Sequence, residues 1–259
     1  MKAPIEHVDF GRTAADYLAY RAGFPDSLFS RLGGLVTGGC QAVDLGTGTG
    51  TLGRGLAKLG ASVIGIDPSE SMLEMARQAD RSAGISTLYR QGSAERTGLA
   101  DGSCDLVAVG QAWHWFDAGA ACDEIRRILR PGGRILVAYY DWLPLPGNVV
   151  RCTEELIERH NPAWRGGNLQ GIHTGVFRDL GENGFTGLES FSYDEPAVYG
   201  HEAWRGRIRA SAGVAATLDQ PAVLAFDQDL RQMLQSRFPT DPMEVPHRVF
   251  ALTARLARD

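Results

Sequence analysis

Between residues 40 and 140 short β-branched and aliphatic runs alternate with stretches of helical periodicity. That alternation is the pattern of successive βαβ units, and so of a parallel sheet. It predicts strands at 40–45, 62–66, 87–91, 105–110 and 134–139, and helices at 51–59, 69–83 and 118–129. The last helix is expected to stop at Arg130-Pro131-Gly132-Gly133, where proline and paired glycines turn the chain into the next strand. Upstream, 14–22 and 26–32 read as two short helices broken by Gly23-Phe24-Pro25. Downstream, 147–160, 201–212 and 221–237 read as helices, and 185–193 and 248–256 as strands. The expected fold is therefore α/β: a doubly wound, mainly parallel seven-stranded sheet in one domain, 1–259. Residues 1–36 would be an N-terminal helical flank or lid and 40–140 the core. Residues 141–259 would complete the sheet and add a late helical cap.

Composition narrows the class. At 259 residues, 44% hydrophobic and 22% charged, the chain suits a packed globular protein rather than a disordered or fibrous one. The net charge of −5 leaves no general positive surplus to grip a phosphate backbone, so nucleic acid is not the expected partner. No uncharged apolar run approaches the roughly 20 residues that cross a bilayer, and the N-terminus has no apolar signal core. A cytoplasmic protein without a membrane partner is expected. Cys40, Cys104, Cys122 and Cys152 are scattered, with no CxxC or Cys/His ligand spacing, and read as small buried thiols. No metal is expected, and nothing in the sequence sets an oligomeric state.

The chemistry gathers at Val43-Asp44-Leu45-Gly46-Thr47-Gly48-Thr49-Gly50, a strand that ends in a glycine-rich turn before a helix. Glycine permits φ > 0 and carries no Cβ, so such a turn brings bare backbone close to a nucleotide-like ligand. Taken alone it also suits a dinucleotide site, with pyrophosphate at the helix N-terminus. The spacing is G-x-G-x-G after an acidic residue, however, rather than G-x-G-x-x-G. Asp67 follows at the end of the second strand, where a carboxylate accepts hydrogen bonds from ribose hydroxyls in either class. Gly92-Ser93-Ala94-Glu95 follows the third strand, and Gln111-Ala112-Trp113-His114-Trp115-Phe116 follows the fourth.

Together with Arg130-Pro131-Gly132-Gly133-Arg134, these elements resemble the class I S-adenosylmethionine-dependent methyltransferases, whose Rossmann-like fold matches the predicted sheet. Phe10-Gly11-Arg12-Thr13-Ala14-Ala15-Asp16-Tyr17, Tyr20-Arg21 and Trp113-His114-Trp115-Phe116 resemble the branch that includes trans-aconitate methyltransferase-like proteins, which act mainly on small molecules. The resemblance implies S-adenosylmethionine as cofactor and a small-molecule acceptor as partner. It implies contacts from Asp44, Gly46, Thr47, Gly48 and Gly50 around the methionine portion, Asp67 on the ribose, and Ala94 and Glu95 near the adenine. Pro68 and Met72 would add apolar contact, and Gln111 would lie under the sulfonium side. In related proteins an N-terminal helix closes over the cofactor, which would bring Tyr17 and Arg21 to it.

A sulfonium is already a strong electrophile, so the protein mainly holds an acceptor in line and excludes water. His114 is the candidate base for a hydroxyl acceptor, or else a group that orients substrate. Trp113, Tyr139 and Trp142 are candidate walls of the acceptor pocket. The cluster Arg205-Gly206-Arg207-Ile208-Arg209 could supply an arginine for a substrate carboxylate or phosphate, with Arg205 as the first choice. Alternate residues on a helix do not share a face, so most of the three would point elsewhere, into solvent or ion pairs. An O-methyltransferase is the favoured reading. N- or C-methylation, a non-catalytic cofactor-binding protein and an NAD(P)-dependent oxidoreductase are the alternatives.

Overall fold

The computed structural model describes residues 20–167, 170–211, 213–214 and 217–256. Contacts divide the chain into two compact units. Of the described residues, one comprises those within 23–140, 172–193 and 249–256; the other comprises those within 20–22, 141–171 and 194–248.

The first unit is built on a seven-stranded sheet in the order β3-β2-β1-β4-β5-β9-β6. Its strands are β1 (Gln41–Leu45), β2 (Ser62–Asp67), β3 (Leu88–Gln91), β4 (Cys104–Gly110), β5 (Leu129–Trp142), β6 (Phe185–Asp194) and β9 (His247–Leu256). Strands β3, β2, β1, β4 and β5 pair in parallel. Their helices are α1 (Asp26–Leu32), α2 (Thr51–Lys58), α3 (Glu70–Ala83) and α4 (Ala118–Ile128), with α6 (Thr174–Glu182) later in the chain.

Local sequence explains these boundaries. Ser69 caps α3 by accepting from the Met72 amide, and Gly84 ends it at φ 66°. Asp117 caps α4 by accepting from the Ala120 amide. Buried Ala121, Cys122, Ile125 and Ile128 recur at helical spacing and join Val107, Val109, Ile135 and Val137 in one core. The expected stop at Pro131-Gly132-Gly133 is corrected in one respect. The helix does end at Ile128, but β5 begins at once: Leu129 pairs with Cys104 and Arg134 with Leu106, so Arg130–Gly133 bulge out of the ladder.

The second unit holds α5 (Val149–His160), α7 (His201–Arg209) and α8 (Gln220–Arg237), with a two-stranded antiparallel ribbon of β7 (Ala197–Tyr199) and β8 (Met243–Val245). Trp204 is wholly buried here, and its indole N–H donates to Thr153 Oγ1 at 3.1 Å. The expected helix 201–212 stops at Arg209, and the expected helix 14–22 lies outside the described residues except at its end. Helix α6 and strands β7 and β8 were not foreseen.

Truncating a fully enclosed side chain on α4 leaves a cavity in the sheet core. Ile125→Ala should therefore cost about 2–5 kcal/mol. The check is a lower urea midpoint at unchanged slope; an unmoved midpoint would contradict the packing described.

Candidate functional site

In the sheet order, β1 and β4 are adjacent while their connections leave in opposite directions. Ligands of open α/β sheets bind outside the carboxyl ends of strands at such a switch point. The glycine turn follows β1 there, and Gln111–Phe116 follows β4. The two loops touch closely. A Cβ on Gly46 (φ +63°) would stand 2.6 Å from the Ala112 Cβ, so a side chain is excluded. Gly48 (φ +54°) differs: among the described residues nothing lies within 4 Å of where its Cβ would be, so its backbone is bare on that side.

Two buried aspartates hold this turn. Asp67, at the end of β2, accepts the Gly48 amide through Oδ2 and the Ser69 amide through Oδ1, both at 2.9 Å. The Thr47 amide donates to the Ile66 carbonyl at 3.0 Å. The turn is thus tied to β2 by backbone donors. Burial pushes the Asp67 carboxyl above its ordinary range, and the two amides pull it partly back.

Asp44 is 1% exposed. Its Oδ2 accepts from Thr47 Oγ1 at 2.7 Å and from the Gly53 amide at 2.9 Å. Its Oδ1 is buried and has no hydrogen-bond partner among the described residues. Burial pushes this carboxyl up to about 7, against the downward pull of those two donors. An unmatched buried acceptor oxygen is costly, and an ammonium group fits what it lacks. This orphan oxygen beside a bare glycine turn is the feature of the site that most directly fits an amino-acid-bearing cofactor.

A second network stiffens the cradle. Asp80 on α3 receives Arg54 Nη1 from α2 at 2.9 Å and the Tyr89 hydroxyl from β3 at 3.0 Å. Sequence reasoning missed it, although a charge at position 80 extends the buried face of Met72, Leu73 and Ala76 and was a readable signal.

The remaining expected contacts fall as follows. Met72 and Ala94 are buried, 8% and 4% exposed, while Pro68 is exposed and its carbonyl accepts from Gln91 Nε2. Glu95 Oε1 accepts the Asp117 amide at 3.1 Å, joining its loop to the start of α4. Gln111 is a non-glycine residue at φ 54°, an uncommon conformation of the kind found at functional sites. Its amide donates to the Ala138 carbonyl and its Nε2 to the Tyr140 carbonyl, so β5 fixes both ends of the residue.

His114 lies exposed in a 3-10 turn, Trp113–Trp115, with its ring 4.8 Å from Trp115 and 6.1 Å from Tyr139. Trp113 belongs to the core instead: it is 4% exposed and its indole N–H donates to Asp179 of α6 at 3.0 Å. Tyr139 is 3% exposed and stacks on His173 at 3.5 Å. Both rings, expected as walls of the acceptor pocket, are thus largely buried. Asp179 and His173 are partners the sequence did not reveal.

In the second unit, Trp142 donates its indole N–H to Glu154 Oε1 at 3.1 Å. Arg205 is committed to Asp227, with Nε to Oδ1 at 3.1 Å, and to Glu202 at 2.6 Å. These pairings engage the guanidinium that the sequence put forward as a substrate clamp. Arg21 lies in the field of Arg207 and Asp141, and Tyr17 lies outside the described residues.

Comparison with known proteins bears on the family and the fold. Residues 43–137 match the family model of the methyltransferase domain. An uncharacterized methyltransferase of Mycobacterium tuberculosis is 38% identical over 128 residues, covering 49% of this chain and 50% of that protein. A ubiquinone biosynthesis O-methyltransferase of Rhizobium etli is 35% identical over 101 residues, covering 39% and 41%. The matches thus span about half the length of these relatives or less. A solved structure, a proposed type II methyltransferase from Anaeromyxobacter dehalogenans, superposes with a TM-score of 0.64 at 23% identity, covering 92% of this chain and 98% of that one. Phosphoethanolamine N-methyltransferase 2 of Haemonchus contortus, solved with phosphomonomethylethanolamine and S-adenosylhomocysteine, superposes with a TM-score of 0.55 at 18% identity, covering 96% and 58%.

Asp44 generates a test with a definite sign. Its folded pKa near 7 exceeds the ordinary 3.8, so between those values the native state holds a proton that the unfolded chain has lost. Its contribution is undiminished below about pH 4, and stability falls as pH rises toward 7. Asp44→Asn removes this slope. Its urea midpoint should exceed the wild-type value at about pH 8, and the gap should close toward about pH 4. An equal gap at both pH values would contradict the buried-carboxyl account.

Residues 43–137 thus match the methyltransferase-domain family model, and over most of its length the chain shares the fold of a solved structure described as a methyltransferase.

Proposed function

We propose that the protein is an S-adenosylmethionine-dependent methyltransferase that acts on a small molecule, with oxygen the favoured acceptor atom. The observation that carries the reading is the unpartnered, buried Oδ1 of Asp44 beside the bare backbone of Gly48. Bound there, the cofactor's ammonium would face Asp44 and its ribose would approach the Asp67 carboxylate. Each Asp67 oxygen spends one acceptor site on a backbone amide and keeps another. Gly46 and Gly50 would border the methionine portion, Ala94, Glu95, Pro68 and Met72 the adenine, and Gln111 the sulfonium side.

The cofactor supplies an activated methyl group and its own leaving group. The chain's part is to hold the acceptor in line with the methyl and keep water away. His114, exposed after β4, is the residue that would take a proton from a hydroxyl acceptor or orient it. The relatives that carry ubiquinone biosynthesis O-methyltransferase names support oxygen over nitrogen. A dinucleotide brings no ammonium group to meet the Asp44 carboxyl, which disfavours the oxidoreductase reading. The net charge of −5 supports a small acceptor over nucleic acid. Four buried free cysteines suit the cytoplasm, where thiols stay reduced.

The test is methyl transfer from labelled S-adenosylmethionine to a panel of phenols, carboxylic acids and amines. Turnover on an oxygen acceptor is expected. If the acceptor is a hydroxyl, His114→Ala should lower kcat by about 10²–10⁴-fold. Transfer confined to amines would overturn the oxygen assignment, and NAD binding without S-adenosylhomocysteine binding would overturn the whole reading.

A further inference from the structure

Asp80 continues the buried face that Met72, Leu73 and Ala76 form on α3, and it is 4% exposed. An apolar side chain there would need no counter-charge. Exchanging a buried ion pair for apolar groups of similar volume is often neutral or stabilising. Packing alone therefore does not account for a carboxylate at this position. What sets Asp80 apart is where its two donors stand.

Both donors end against the glycine turn. Tyr89 lies opposite Gly65 in the pairing of β2 with β3, and its ring crosses that glycine. A Cβ on Gly65 would stand 2.7 Å from the Tyr89 ring and 3.0 Å from Thr47 Cγ2. At the far end of the ring the hydroxyl, which donates to Asp80 Oδ2 at 3.0 Å, meets the point where a Gly50 Cβ would be. Arg54 Nη1, which donates to Asp80 Oδ1 at 2.9 Å, lies 3.0 Å from the same point. Burial first, and the Asp80 charge second, push the Tyr89 phenol above its ordinary range, so its hydroxyl keeps the proton it donates.

Gly50, at φ +77°, is where the turn enters α2. Its amide donates to the Thr47 carbonyl at 2.8 Å, and its carbonyl accepts the Arg54 amide at 2.9 Å. Thr47, the other neighbour of Gly65, donates its hydroxyl to Asp44. One buried carboxylate thus fixes two groups that back the turn, while Asp44 and Asp67 grip it through its amides. A turn rich in glycine has few side chains of its own to hold a shape, and a preformed wall lowers the ordering cost that a ligand would otherwise meet.

We propose that Asp80 is a positioning residue for cofactor binding: by fixing the Tyr89 hydroxyl and the Arg54 guanidinium against Gly50, it sets the backbone conformation of the turn that would border the methionine portion. This rests on the transferase reading above, and Asp80 acts through the turn.

Two measurements on the full chain test it. In calorimetric titration with S-adenosylhomocysteine, Asp80→Asn, which keeps an acceptor for Tyr89 but no charge for Arg54, should bind about tenfold more weakly than wild type. Tyr89→Phe, which loses only the hydroxyl, should bind about three- to tenfold more weakly. Amide exchange of the cofactor-free protein, read by mass spectrometry, should be faster in both variants across residues 46–53 and unchanged across α4. Ile125→Val, a core change remote from the turn, should keep wild-type exchange there and an affinity within about twofold of wild type. Equal affinity in the wild type and in either site variant overturns the proposal, as does unchanged exchange at 46–53. An affinity loss in Ile125→Val equal to theirs also overturns it, because stability alone would then explain the effect. If Asp80→Asn does not give the wild-type circular dichroism spectrum, Tyr89→Phe decides. No binding by the wild type overturns the transferase reading and this one together, whereas binding by the wild type without loss in the variants overturns this one alone.

Discussion

The candidate site depends on one set of hydrogen bonds: the carboxylates of Asp44 and Asp67 gripping the backbone of the turn between β1 and α2. Three glycines at positive φ make that turn costly to order, since glycine gives up more conformational freedom on folding than any other residue. The Gly48 amide on Asp67, the Gly53 amide on Asp44 and the Thr47 amide on Ile66 offset that cost. They also hold the bare face of Gly48 in place. Asp44 is then a compromise. Its carboxyl is buried to hold the turn, and that burial raises its proton affinity to near neutrality against the pull of the Thr47 and Gly53 donors.

Other features around the sheet's carboxyl edge support that arrangement. Asp80, Arg54 and Tyr89 link α2, α3 and β3, and Tyr89 sits against Gly50. Gln111 keeps an unfavourable φ because β5 accepts from its amide and its side chain. Such strain persists only where neighbours over-determine it. The acceptor side has a different character. The aromatic residues after β4 divide between packing and exposure, with Trp113 anchored to Asp179 and His114 left in the open.

Much of the sheet was legible because its central strands β1, β4 and β5 are largely buried on both faces and the parallel strands are bounded by turn residues. Strands β1 to β4 lie within a residue of their expected limits. The start of β5 was misread because Pro131-Gly132-Gly133 has turn composition, whereas the structure absorbs those residues as a bulge. Helix α6 escaped notice because two of its nine residues are glycine and only Val176 and Leu180 are buried. Strands β7 and β8 have three residues each, too few to show a period, and they pair across a long stretch of chain. In the site, spacing revealed the turn and Asp67. It could not show that Arg205 would find Asp227, because that pairing is set by α8.

The account rests on Asp44 as the carboxylate that awaits an ammonium group, and calorimetric titration of S-adenosylhomocysteine tests it most directly. Wild type at about pH 7.5 should bind one equivalent. Asp44→Asn, which keeps an acceptor for Thr47 and Gly53 but presents no anion, should bind at least about tenfold more weakly. Equal affinity in the two proteins, or no binding by the wild type, would contradict it.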